Sequence, residues 1–120
     1  MAKRVLVVED NELNLKLFCD LLRVHDYIPE PVRDGREALS RARDVQPDLV
    51  IMDIQLPNVS GLDLIETLKG DADLKGIPIM AVTAFAAKED EERIRAAGAE
   101  AYVAKPMSVM RFVETVQALA

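Results

Sequence analysis

Two kinds of apolar spacing alternate along the chain. Short unbroken runs at Arg4-Val5-Leu6-Val7-Val8, Leu49-Val50-Ile51-Met52-Asp53, Ile77 to Thr83 and Ala101-Tyr102-Val103-Ala104 read as strands covered on both faces. A fifth run, Tyr27 to Val32, contains Pro29 and Pro31, which cannot donate to a ladder, so it belongs at a sheet edge. Between the strands apolar residues recur at helical spacing. Asn11 is a good N-cap for a helix to about Val24 carrying Leu13, Leu17, Leu21, Phe18 and Leu22. The Asp34-Gly35 turn precedes a weaker helix with Ala38, Leu39 and Ala42, ending before Pro47. Gly61 to about Lys69 carries Leu62, Ile65 and Leu68 on one face and is closed by Gly70. Lys88 to Ala97 is strongly charged, with apolar positions chiefly at Ile94, Ala96 and Ala97, and Gly98 caps it. Ser108 caps a last helix with Val109, Phe112, Val116 and Leu119.

Strands and helices that alternate with such short connections predict an α/β fold, a doubly wound five-stranded parallel sheet with five helices. Strand order 2-1-3-4-5 puts the proline-containing second strand at the edge and the first and third strands side by side. No repeat, linker or low-complexity tract divides the chain, and residues 1–120 are expected to form one domain.

Composition narrows the partners. The net charge of -6 leaves no basic surplus to neutralise phosphates, which argues against nucleic acid or an anionic membrane and in favour of protein partners or a cation. Cys19 is the one cysteine, inside an apolar helical pattern, so neither a disulfide framework nor a thiolate metal cage can form. Neither a signal segment nor an apolar run of membrane-spanning length is present, and a cytoplasmic location is expected.

Chemistry enters at the strand ends, where open α/β sheets carry their sites. The third run ends on Asp53 and the first on Glu9-Asp10, and adjacent strands bring these carboxylates together. Taken singly each has an ordinary use, since Asp is common where strands stop, Thr83 can cap a turn and Lys105 can be a surface lysine. Together they are harder to dismiss. Clustered carboxylates repel one another unless a divalent cation compensates, and oxygen ligands without His or Cys suit Mg²⁺, with Mn²⁺ able to substitute, better than Zn²⁺. A hydroxyl from Thr83 and an ammonium from Lys105 beside a metal suit a phosphoryl group, for which Asp53 is the candidate nucleophile.

Glu9-Asp10, the apolar run ending in Asp53, Pro57 and Gly61, Thr83-Ala84 and Lys105-Pro106 together resemble the receiver domain of bacterial two-component response regulators, over essentially the whole chain. Asn11-Glu12-Leu13-Asn14, Met52 to Pro57 and Thr83-Ala84-Phe85-Ala86 with Asp90 to Arg95 are similar to single-domain members that act in cell division and polarity. The resemblance implies a flavodoxin-like receiver fold, a phosphorylation-activated signalling switch rather than a dedicated enzyme, and phosphoryl transfer to Asp53 from a phosphohistidine. It implies Mg²⁺ held by Glu9, Asp10, Asp53 and the backbone carbonyl of Gln55, phosphoryl oxygens bound by Thr83 and Lys105, and a cis Lys105-Pro106 bond. Tyr102 would swing inward as Thr83 moves, and Gln55 and Phe85 would tune the lifetime of the acyl phosphate. The partners implied are a histidine kinase, its phosphatase activity, or a histidine phosphotransfer protein. The Leu13-Leu17 side of the first helix is then a kinase docking surface, and downstream proteins read the face formed by the fourth helix, fifth strand and fifth helix. The protein is expected to be a monomer or weak dimer. His25, far in the fold from Asp53, makes no histidine donor.

Rival readings stay open at this point. An excised receiver of a longer regulator is one. A Mg²⁺-dependent aspartyl phosphatase also uses a strand-end aspartate but needs a second acid where Gln55 stands. A nucleotide binder is disfavoured because neither phosphate-binding glycine motif occurs.

Overall fold

The structure, a computed structural model, describes residues 2–84, 87–105 and 108–120. Strands β1 (Arg4–Val8), β2 (Ile28–Val32), β3 (Leu49–Asp53), β4 (Ile79–Thr83) and β5 (Ala101–Ala104) form one parallel sheet in the order β2-β1-β3-β4-β5. Five helices cross between and after them: α1 (Glu12–Val24), α2 (Ala38–Val45), α3 (Gly61–Gly70), α4 (Lys88–Ala97) and α5 (Val109–Leu119), with a 3-10 turn over Gly35–Glu37 before α2. β2 lies at the edge, as its prolines require.

Alternation along the strands splits the core in two. Leu6, Val8, Val50, Met52 and Ala81 meet Ala42, Leu64, Ile65, Leu68 and Ile94 of α2, α3 and α4. Val5, Val7, Ile51, Val82 and Val103 meet Leu15, Phe18, Cys19, Leu22, Phe112 and Val116 of α1 and α5. Between these last two helices Phe18 and Phe112 pack edge to face, ring centroids 5.1 Å apart. The register pairs Val8 with Met52, Asp53 with Val82 and Thr83 with Ala104, so β1, β3, β4 and β5 all end at one edge of the sheet.

Several helix faces differ from expectation. In α1 the buried stripe is Leu15, Phe18, Cys19 and Leu22, while Leu13 and Leu17 are 79% and 45% exposed. Both sets have helical spacing, and contact with the sheet selects the one that includes the aromatic ring. On α5 Val109 is exposed, and on α4 Ala96 is exposed, leaving Ile94 and Ala97 as the buried pair. Gly70 does not close α3 in a left-handed turn but is its last helical residue, followed by Asp71 in extended backbone. Gly98 does close α4, at φ 124°. β2 and β4 each start later than expected, at Ile28 and Ile79, with Pro78 just outside β4 accepting the Val50 N–H through its carbonyl at 3.0 Å. Asn11, Ser60 and Ser108 cap α1, α3 and α5 by accepting the N–H of Asn14, Asp63 and Arg111.

Candidate functional site

Four strand ends deliver polar side chains to the carboxyl edge of an otherwise apolar sheet. Asp53 and Thr83 are the last residues of β3 and β4, Glu9 and Asp10 follow β1, and Lys105 follows β5. Among the described residues Glu9, Asp53 and Thr83 are the buried polar or charged ones, at 1%, 2% and 0% exposure. Polar side chains are not concealed to this degree without specific partners.

The partners are at hand. Lys105 Nζ donates to Glu9 Oε1 at 2.9 Å and to Asp53 Oδ2 at 3.3 Å. The Gln55 backbone N–H donates to Asp53 Oδ1 at 2.9 Å, and that of Asn11 to Glu9 Oε2 at 3.3 Å. Each oxygen of Asp53 therefore has a donor, one from its own loop and one from the residue that follows β5. Asp10 is less buried and lines an open cleft of about 270 Å³ with Arg33, Asp34, Gly35, Pro57 and Asn58, which gives the site an approach from solvent.

One carboxylate oxygen from each of Glu9, Asp10 and Asp53 can be chosen so that all lie within 4.8 Å of one another. Burial, and then its hydrogen bond with Asp53, push the Glu9 carboxyl up to about 7, against the lowering effect of Lys105. Burial alone would lower Lys105, but its hydrogen bond to Glu9 and the charges of Asp53 and Glu9 outweigh that and raise it. Three carboxylates against one ammonium leave two negative charges to be compensated when all are ionised, the charge of one divalent cation. The donors are all oxygen, and the site is partly open, so the residues fit Mg²⁺ with some positions left for water or a ligand oxygen.

The other expected residues are placed as follows. Tyr102 lies half-buried on β5, level with Ala81 of β4 and thus on the face that carries Thr83 one alternation further on. His25 sits exposed at the end of α1 away from the acidic edge. Phe85 and the Lys105-Pro106 peptide fall outside the described residues because Phe85 and Pro106 do.

Three features were not anticipated from the sequence. Gln55 Oε1 accepts the Ala84 N–H at 3.0 Å, joining the loop after β3 to that after β4 beside Thr83. Arg95 lies over the Tyr102 ring, 5.8 Å from its centroid. A Cβ on Gly61 would come within 2.6 Å of the Asp53 carbonyl oxygen and of Ile54 Cα, so this glycine lets α3 start hard against the backbone of the acidic strand. Only the last had a signal in the sequence, a glycine at the first position of a helix rather than at its end.

Comparison with known proteins gives a consistent answer. Residues 5–117 match the response regulator receiver domain. The chain is 57% identical over 117 residues to the polar-differentiation response regulator DivK of Brucella ovis, covering 98% of this chain and 95% of that protein, and equally to the protein of that name in Brucella suis. Among solved structures, the chemotaxis protein CheY4 of Vibrio cholerae superposes with a TM-score of 0.94 at 26% identity over 100% of both chains. The receiver domain of a sensor histidine kinase from Pseudomonas aeruginosa, solved with a magnesium ion coordinated in its active site cleft, has a TM-score of 0.90 at 29% identity, over 99% of this chain and 98% of that one. Since sequence and fold agree over nearly the full length and no part of the chain is left for a different assignment, it belongs to the response regulator receiver family, whose members are signalling domains rather than metabolic enzymes.

Proposed function

We propose that this receiver is a switch thrown by phosphorylation of Asp53 and reset by loss of the phosphoryl group. The observation that carries the reading is the Asp53 carboxylate itself, 2% exposed, yet held between the Gln55 N–H and the Lys105 ammonium at an edge that solvent reaches beside Asp10. A structural aspartate needs no such approach.

In the transfer, an Asp53 carboxylate oxygen attacks the phosphorus of an N-phosphorylated imidazole on a partner protein. The P–O bond forms, the P–N bond breaks, and its electron pair stays on the imidazole nitrogen, which takes up a proton. Lys105 offsets charge at the carboxylate and then on the transferred group, and the Thr83 hydroxyl donates to a phosphoryl oxygen. Glu9, Asp10, Asp53 and the carbonyl of Gln55 would hold Mg²⁺, which when bound would supply positive charge that neither the single ammonium nor the hydroxyl can match. Hydrolysis of the acyl phosphate by water returns the carboxylate and inorganic phosphate. Thr83 follows the new charge, and the Tyr102 ring takes up space on the same face.

Its phosphodonor is a histidine kinase or a histidine phosphotransfer protein, reached through α1, where Leu13 and Leu17 are exposed. Output passes to protein partners at the α4, β5 and α5 face. The likeness to polar-differentiation regulators supports a role in cell division and polarity, in the cytoplasm; no helix among the described residues is long and apolar enough to cross a membrane.

The test is phosphotransfer from candidate phosphorylated kinases to the wild type and to Asp53→Asn, with Mg²⁺ or with a chelator. Labelling is expected only for wild type with Mg²⁺, at no more than one phosphoryl group per chain. Full labelling of Asp53→Asn refutes the assignment, and turnover of generic phosphomonoesters would favour a phosphatase.

A further inference from the structure

Helix α4 is attached to the sheet by little. Of its residues only Ile94 and Ala97 are buried. Besides the packing of α4 along α3, one side chain ties the helix to β5 and the turn before that strand. Arg95 Nε donates to Glu91 Oε2 at 3.1 Å, its NH1 nitrogen donates to the Glu100 carbonyl at 3.2 Å, and the guanidinium stands 5.8 Å from the Tyr102 ring centroid, within cation–π range. Glu100 is itself anchored, because its carboxylate accepts from the Lys69 ammonium and from the Ile79 N–H. Arg95 thus ties the turn before β5 with one nitrogen and stands over the Tyr102 ring with its guanidinium.

The ring has somewhere else to go. Tyr102 is level with Ala81, whose methyl is small, and Thr83 follows on that same face. Beyond Thr83 a cleft of about 150 Å³ opens between α3 and α4, lined by Ile54, Leu62, Thr83, Asp90, Arg93 and Ile94. The ring as it stands is half-buried against the core beneath Arg95, and an inner position would lie toward Thr83 and the cleft. A guanidinium tied to the α4–β5 turn cannot follow the ring inward.

We propose that Arg95 is the brake on this switch, a positioning residue that holds Tyr102 outward and α4 against the α4–β5 turn, so that activation must break its contact with the ring. The inference rests on the reading of Asp53 as phosphoacceptor and Tyr102 as the mobile ring. Because the contact is at the surface, the brake is weak, roughly 2- to 5-fold in the balance between the two positions. A weak brake suits a switch that has to be reversible.

The test uses the full chain labelled with 3-fluorotyrosine, in which Tyr27 serves as internal reference for Tyr102. Wild type, Arg95→Ala, Arg95→Lys and the charge control Arg111→Ala, an exposed arginine on α5, are compared by fluorine NMR, free and with beryllofluoride and Mg²⁺ as the phosphoryl mimic. In free Arg95→Ala the Tyr102 resonance is expected to shift part-way toward its beryllofluoride position, and beryllofluoride to bind roughly 2- to 5-fold more tightly. Arg95→Lys should fall between it and wild type, and Arg111→Ala should match wild type. Far-UV circular dichroism checks that α4 remains folded, and Arg95→Lys supplies the comparison if the alanine variant unfolds it. An unmoved Tyr102 resonance in both Arg95 variants, or unchanged beryllofluoride affinity, overturns the brake. If beryllofluoride binds wild type without moving Tyr102, the switch reading falls and the brake with it. If it does not bind at all, the phosphoacceptor reading falls, while the free-state spectra still decide whether Arg95 holds the ring.

Discussion

Glu9 and Asp10 are neighbours in sequence with opposite fates, Glu9 almost fully buried against Lys105 and Asp10 turned toward the open cleft. Burial with Asp53 beside it raises the Glu9 carboxyl from 4.5 to about 7. Between those values the folded chain holds a proton that the unfolded chain has released, so this group's contribution to stability is present at low pH and lost as pH rises through the window. Glu9→Gln, which mimics the protonated form, should therefore become progressively more stable than wild type from pH 5 to pH 8 in the presence of a chelator, by on the order of 1–3 kcal/mol. Urea denaturation at several pH values measures this, and parallel curves for the two proteins would show that Glu9 does not titrate in that range. That two acids end β1 was plain from the sequence. Which of them faces inward depends on how the chain turns after Val8.

Among the elements, α3 shows how a helix position can be dictated by its neighbour. Gly61 begins the helix where any Cβ would collide with Asp53 and Ile54 backbone, which cannot give way as a flexible side chain could. Gly61→Ala is expected to cost about 1–3 kcal/mol and, by displacing the backbone of Asp53, to slow its phosphorylation. Gly70 at the other end of the same helix meets nothing within 4 Å, so Gly70→Ala should be neutral or stabilising by up to about 1 kcal/mol. Thermal melts and beryllofluoride binding of the pair check both; equal effects would mean that the contact at Gly61 is easily relieved. Sequence pattern found α3 and its start, and it misread Gly70 as a cap because a glycine near a helix end is the usual sign of one. It also counted Leu13 and Leu17 with Phe18 and Leu22 as one apolar stripe of α1, although the family resemblance put the Leu13-Leu17 side at a docking surface; periodicity identifies a stripe without saying which of two stripes meets the sheet.

At the scale of the whole molecule, three of the 21 acidic residues, Glu9, Asp10 and Asp53, meet at one point against a single lysine, and a divalent cation should act on global stability through that point. Mg²⁺ that binds only the folded chain is expected to add about 2.7 kcal/mol at a concentration of 100 Kd. Asp10→Asn should remove most of that increment while leaving the fold intact, because Asp10 lies outside the buried Lys105 pairing. Melting curves with Mg²⁺ and with chelator decide, and an increment undiminished in Asp10→Asn would locate the ion elsewhere. By itself the sequence determined the alternation of strands and helices, the edge position of β2 and the residues that end each strand, because strand burial, proline chemistry and helix capping are local properties. Their meeting at one edge followed only from the order of the sheet, which short connections restrict to few choices. Tertiary structure alone decided that Gln55 reaches Ala84, that Gly61 must lack a side chain and that Arg95 covers Tyr102. Each of these depends on a distance between separate elements of the fold, which the spacing of residues along the chain does not give; for Gly61 the sequence offered only the hint of a glycine at a helix start.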